Sequence, residues 1–207
     1  MGNRAVITTD YRPNSLGLYL HWNGGRDSIE AFLTYCKLHN WNGSGTAALV
    51  KLIHVITNAL GPDSVELDMN KRLDCDNGDS GVYVIDDDWN IVDRKCFEGA
   101  EQRNYDLNEF IRDIDKEMPE SERLGDFLNA EPINPADIKI GDTITFINWR
   151  DEIVVKEVIG YGTDRYVNGI QTDGVPYVNL FDSEHPEDNP NNYLTEDHCR
   201  EYRKLNK

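Results

Sequence analysis

Leu16-Gly17-Leu18-Tyr19-Leu20-His21-Trp22-Asn23-Gly24-Gly25-Arg26-Asp27-Ser28 reads as a strand, a glycine turn and the opening of a helix. Leu18, Leu20 and Trp22 alternate with Tyr19 and His21, the two-residue period of a half-buried strand. Asn23-Gly24-Gly25 tolerates positive φ and ends it. Asp27 or Ser28 then offers an N-cap for a helix in which Ile29, Phe32, Leu33, Cys36 and Leu38 fall near helical spacing. Upstream, residues 4–8 are rich in β-branched side chains, and the Pro13-Asn14 turn makes the two strands an N-terminal hairpin.

Downstream, Leu49, Leu52, Ile53 and Ile56 mark a second helix over residues 45–59, which Gly61-Pro62 stops. Residues 65–69 and 81–85 read as strands, and Asp86-Asp87-Asp88-Trp89-Asn90 turns the chain into a further strand at 91–97, a hairpin with an acidic tip. Leu107, Phe110, Ile111 and Ile114 predict a third helix ending before Pro119. The expected fold class is therefore α+β, with an N-terminal domain over residues 1–125 that sets about three helices against a mostly antiparallel sheet. From about residue 126 the text changes to short strands separated by Gly and Asp turns. Residues 126–207 are expected to form a small β-barrel-like unit, with a polar loop at 183–192 and a closing helix at 195–205 capped by Thr195.

Charge bounds the partners. The 207 residues hold 21 Lys and Arg against 38 Asp and Glu, so 21 − 38 = −17. The excess is shared: 13 − 22 = −9 over residues 1–125 and 8 − 16 = −8 over 126–207. Such a field repels phosphate and disfavours duplex nucleic acid and anionic membranes. A basic surface on a host protein or nucleoprotein complex is the complementary partner. The plain alternative is acidity that keeps the chain soluble. The carboxylates that would carry an interface are Asp86, Asp87 and Asp88 at the hairpin tip, Asp113, Asp115, Glu117, Glu120 and Glu122 along and beyond the third helix, and Glu184, Glu187 and Asp188 in the late loop.

Cys36, Cys75, Cys96 and Cys199 are scattered without CxxC or zinc-site spacing. No apolar run of membrane-spanning or signal-peptide length occurs, so the expected compartment is the cytoplasm, with the cysteines as thiols. Asp74-Cys75-Asp76-Asn77-Gly78-Asp79 has the look of a calcium loop, yet the register fails, since the twelfth position from Asp74 is Ile85 where Glu is needed. Neither a metal nor a cofactor is expected. The aspartates flanking Cys75 should raise its thiol pKa.

His21, Asn23, Gly24, Gly25 and Arg26 form a candidate anion or ligand turn, because backbone N–H groups at a helix N-terminus and a guanidinium suit an anion. The structural alternative places Trp22 in the core and gives the glycines to the turn. His21, His39, His54, His185 and His198 lie in no HExxH context, and GxSxG is absent.

Residues Gly2-Asn3-Arg4-Ala5-Val6-Ile7-Thr8 together with Tyr19 to Ser28 resemble the opening of a family of uncharacterised proteins of phages, prophages and other mobile elements, over about the first 38 residues. The resemblance implies no functional residues. Its setting implies an anti-defence role, because small acidic proteins of such elements are often inhibitors of host defence nucleases, as anti-CRISPR or anti-restriction factors are, some by mimicking nucleic acid. Ile138-Lys139-Ile140-Gly141-Asp142-Thr143-Ile144-Thr145-Phe146 looks like the entry hairpin of PUA-like or SH3-like barrels. The leading expectation is an acidic inhibitor that occupies a basic surface of a nucleic-acid-handling complex. The alternatives are a small hydrolase or nucleotide-acting enzyme built on the turn at 21–28, or a non-catalytic adaptor.

Overall fold

A computed structural model describes residues 3–133, 137–139, 141–147, 153–163, 166–167, 170–171, 176–181, 193–194 and 203–205. Its internal contacts divide the chain into two compact units, Met1–Arg123 and Leu124–Lys207.

The first unit is built on β1 (Ala5–Thr8), whose four residues are all buried. A strand covered on both faces must be apolar without alternation, and Ala-Val-Ile-Thr fits that position. β1 pairs antiparallel with β2 (Leu16–Leu20), Ala5 opposite Leu20 and Ile7 opposite Leu18. It pairs in parallel with β4 (Val82–Ile85) on its other side. β3 (Val65–Met69) and β5 (Ile91–Lys95) are the edges, giving the order β3-β2-β1-β4-β5, antiparallel except at β1–β4.

Three helices accompany this sheet: α1 (Arg26–Leu38), α2 (Gly45–Leu60) and α3 (Leu107–Glu117). α2 runs against β2 and β3 and also packs on α1 and α3. It buries Ala48, Leu49, Leu52, Val55 and Ile56, the stripe that its apolar spacing demands. Each fully buried Leu or Ile contributes about 1.5–3 kcal/mol relative to exposure, so these five positions are the main reason the helix stays in place. Gly61 stops α2 at φ +92, a conformation closed to most side chains, and Pro62 follows. Asp106 caps α3, its side chain accepting from the N–H groups of Asn108 and Glu109. On the sheet face that carries Val6, Tyr19 and Val82, Leu73 and Cys75 of the segment between β3 and β4 complete the cover.

Two details differ from the sequence expectation. β2 stops at Leu20, so His21 and Trp22 lie past the strand, and Trp22 is 41% exposed rather than part of the core. The α1 N-cap is Gly25 and not Asp27 or Ser28. Asn23 takes φ +55 and bends the chain one residue before the glycines.

The second unit contains α4 (Asp126–Asn129), β6 (Glu131–Pro132), β7 (Thr143–Ile147), β8 (Ile153–Thr163), β9 (Tyr166–Val167), β10 (Ile170–Gln171), β11 (Pro176–Phe181), β12 (Tyr193–Leu194) and β13 (Arg203–Leu205). Six of these strands form a sheet in the order β12-β11-β8-β7-β13-β6, and β9 and β10 pair as a ribbon. Ile144, Phe146 and Val158 are buried in it. The closing helix expected at 195–205 is corrected at its end: residues 203–205 are a strand, with β7 on one side and β6 on the other. Long-range pairing decides this, helped by Lys204 bridging Asp142 at 2.7 Å and by the Arg203 guanidinium, 4.3 Å over the Phe127 ring. Residues 195–202 and the loop at 183–192, with Glu184, Glu187 and Asp188, lie outside the described residues. Among the described residues no helix is long and apolar enough to cross a membrane.

Candidate functional site

The helix-opening turn is held from both ends. The Gly24 N–H donates to the Asn3 carbonyl at 2.6 Å, and the Tyr83 hydroxyl donates to the Gly24 carbonyl at 3.0 Å. A Cβ on Gly24 would come within 2.6 Å of the Ala5 side chain and 2.7 Å of its backbone. Glycine is needed here for close approach to β1, and the positive φ belongs to Asn23 instead.

The α1 N-terminus already faces carboxylates. Asp27 accepts from the Ser28 N–H at 2.7 Å and from the Gln102 amide at 3.0 Å. Arg26 bonds Glu30 at 2.6 Å and lies 3.3 Å from Glu101. Burial works against the Arg26 charge, but Glu30 and Glu101 outweigh it and raise its pKa. Arg94 completes the group, gripping Glu101 at 2.8 and 3.0 Å while its guanidinium stacks 3.7 Å over the Tyr83 ring. The guanidinium that the sequence offers to an anion is thus engaged by two carboxylates. His21 makes an edge contact with Tyr19, with the ring centroids 5.1 Å apart.

The acidic residues divide by what they touch. Asp86 turns inward on its own hairpin, accepting from the N–H groups of Asp88 (3.0 Å) and Asn90 (2.8 Å). Slight burial opposes its charge, but these bonds prevail and hold its pKa below the usual carboxylate range. Asp87 and Asp88 are exposed. The five residues on and beyond α3 separate again. Asp115 is buried and accepts from the Tyr35 hydroxyl at 2.8 Å, so it belongs to the core and not to a surface. Asp113, Glu117 and Glu120 face solvent, Asp113 holding Lys116 at 2.7 Å. That bond raises the Lys116 pKa. Glu122 is half-exposed, its Oε2 2.5 Å from His54 Nε2.

Around this last pair stands a cluster that the sequence did not single out. Tyr35, His39 and Trp41 follow one another at the end of α1, with His39 stacked on Trp41 at 4.4 Å between ring centroids. His54 of α2 lies 6.1 Å from the same indole, and Lys51 Nζ sits 4.8 Å over it. The i, i+4 spacing of Tyr35 and His39 was visible in the sequence. The join to Glu122, 68 positions from His54, was not. His54 Nδ1 faces the Asn58 amide at 3.4 Å, so both ring nitrogens have neighbours and neither is directed at a hydroxyl or thiol.

In the loop at 74–79, Arg4 bonds Asp79 at 2.6 Å and holds its carboxyl below the usual range. Asn77 Oδ1 accepts from the N–H groups of Asp79 and Gly81, closing the loop on itself. Among the described residues no group of three His, Cys, Asp or Glu is placed to hold a metal ion. The Cys75 thiol is pushed up chiefly by burial, then by Cys96 and Asp74, so the flanking aspartates are not the main cause.

One groove joins parts of both candidate regions. It encloses about 350 Å³ between α1, the end of α2 and α3, lined by Ala31, Phe32, Leu60 and Phe110 and by the charged side chains of Asp113, Lys116 and Glu117, with Asn23 of the helix-opening turn at its edge. No family model matches the chain, and no curated protein or solved structure matches it.

Proposed function

We propose that the protein acts by binding a basic surface of a protein or nucleoprotein partner, and that it inhibits a nucleic-acid-handling defence complex by occupying that surface. The observation that supports this reading is the α3 side, where Asp113, Glu117, Glu120 and half-exposed Glu122 crowd within ten positions of the chain. Like charges held this close repel one another and weaken the fold, and a basic partner relieves the repulsion while attracting the protein from a distance. The net charge of −17 works in the same direction. Asp87 and Asp88 extend the set, and Glu184, Glu187 and Asp188 are candidates of the same chemistry. For residues 126–207 we infer a small SH3-like or PUA-like barrel, supported by the short antiparallel strands. Nuclear Overhauser contacts between β12 and β6, the two ends of its sheet, would report closure.

The test is a partner captured from a bacterial lysate and assayed with the parent and with Asp113→Asn/Glu117→Gln/Glu120→Gln. Electrostatic steering raises association rates by about 10–10³, so the variant should associate at least ~10-fold more slowly at low ionic strength. Added salt should narrow that gap. A variant that associates like the parent at low salt removes the α3 side from the interface.

A further inference from the structure

Resting on that reading of the acidic surface, we propose that the groove between α1, α2 and α3 docks one basic amphipathic segment of the partner, with an apolar side chain on its floor and a Lys or Arg at its rim. The groove volume of about 350 Å³ lies at the low end of the ~300–1,000 Å³ usual for ligand pockets, a size suited to one or two side chains. Its floor is apolar surface that the chain leaves partly uncovered: Ala31 and Phe32 are buried, but Leu60 and Phe110 are only half-buried. Apolar surface rimmed by charge is the usual character of a docking site.

Three features give the rim its sign. Asp113 and Glu117 stand at i and i+4 on α3 and so share one side of the helix. Lys116 lines the groove as well, but its ammonium is held by Asp113 at 2.7 Å, whereas Glu117 has no ion-pair partner among the described residues, so the rim keeps a net negative charge. α2 ends at Leu60 with no basic residue in its last turn, so the carbonyls there present the negative end of the helix dipole. A cation is favoured at this mouth and a phosphate is disfavoured. The apolar floor then selects, among cationic segments, those that carry a hydrophobic side chain next to the charge.

Three short helical probe peptides test this: one of leucine and lysine, one of serine and lysine with the same charge, and one of leucine and glutamate. Each is titrated at low ionic strength into isotope-labelled protein, with the amide spectrum as readout. The Leu–Lys peptide should bind, shifting the amides of Ala31, Leu60 and Phe110, and at least ~10-fold more tightly than Ser–Lys, a difference of about 1.4 kcal/mol. Glu117→Gln should weaken it, and so should Phe110→Ser. If the spectrum of Phe110→Ser shows loss of fold, Leu60→Ser replaces it.

If Ser–Lys binds as tightly as Leu–Lys, or the shifts gather at the hairpin tip and spare the groove, the groove proposal is overturned while the acidic-surface reading stands. If neither lysine peptide binds, both are overturned. Equal binding of the Leu–Glu peptide would mean that charge does not choose the occupant. Self-association of the parent that Phe110→Ser abolishes would make a second copy the occupant, and each of these two results also overturns the proposal.

Discussion

Two turns of the first unit each carry a tryptophan beside or at a left-handed residue, and they place it differently. After β2 the positive φ falls on Asn23, at +55, and Trp22 next to it remains 41% exposed. Between β4 and β5 it falls on Trp89 itself, at +64, and that ring is buried. Asparagine accepts this conformation at little cost, so the first turn imposes nothing on its neighbour. For a bulky residue the cost is about 1–3 kcal/mol, and the second turn persists because Trp89 is tied down. Its Nε1–H donates to the Trp41 carbonyl at 2.9 Å, and a Cβ on Gly43 would come within 3.1 Å of its ring. A turn tryptophan becomes core where another segment closes over it, and here the link between α1 and α2 does so.

The contrast is broken most directly by Trp89→Ala, which removes a buried ring and its hydrogen bond and should cost about 3–5 kcal/mol in denaturant unfolding. A loss below about 1 kcal/mol would mean that the tip is not anchored to the α1–α2 link. Asp115→Ala extends the same comparison to α3. It leaves the Tyr35 hydroxyl without its carboxylate, for an expected loss of about 1–3 kcal/mol, and Tyr35→Phe in the same background should recover part of it. Burial first, and then the bond to Asp115, push the Tyr35 pKa up, so its phenol should stay neutral in alkaline absorbance titration until the protein unfolds.

Trp22→Ala sharpens the contrast from the other side. With part of its ring already in water it should cost about 1–2 kcal/mol, leaving the circular dichroism spectrum unchanged. A loss equal to that of Trp89→Ala would place Trp22 back in the core. The smallest effect belongs to Asp86→Asn, about 1 kcal/mol near neutral pH through weakened acceptance from Asp88 and Asn90. Because the folded pKa of Asp86 is depressed, its contribution is complete above the unfolded value of ~3.9. It is lost as the pH falls through the lower folded value. Acid unfolding curves of the parent should therefore be steeper below about pH 4 than those of the variant.

The helices of the first unit were legible because their signals are local. Leu107, Phe110, Ile111 and Ile114 mark an amphipathic helix within a few residues, and Gly61-Pro62 marks a stop. The candidate site was less legible. Asp113 and Asp115 are two positions apart on one helix, yet one holds Lys116 at the surface and the other accepts from Tyr35 inside. Their identical side chains carry no record of that, since helical position separates them only once the side of α3 that meets α1 is known. The groove could not be anticipated either, because it needs residues of α1, α2 and α3 brought together.

By itself the sequence determined the acidic field, the absence of familiar catalytic spacing, and the order and approximate positions of the helices and strands of residues 5–117, because composition and short-range period are properties of neighbouring residues. Only the tertiary structure decided that β1 lies parallel to β4 and that Arg203–Leu205 is a strand. It also turned Trp89 inward and left Trp22 outward. Each of these depends on backbone hydrogen bonds or close packing with segments distant in the chain. Local propensity, worth a few tenths of a kcal/mol up to ~1 kcal/mol per residue, yields to such contacts wherever the two disagree.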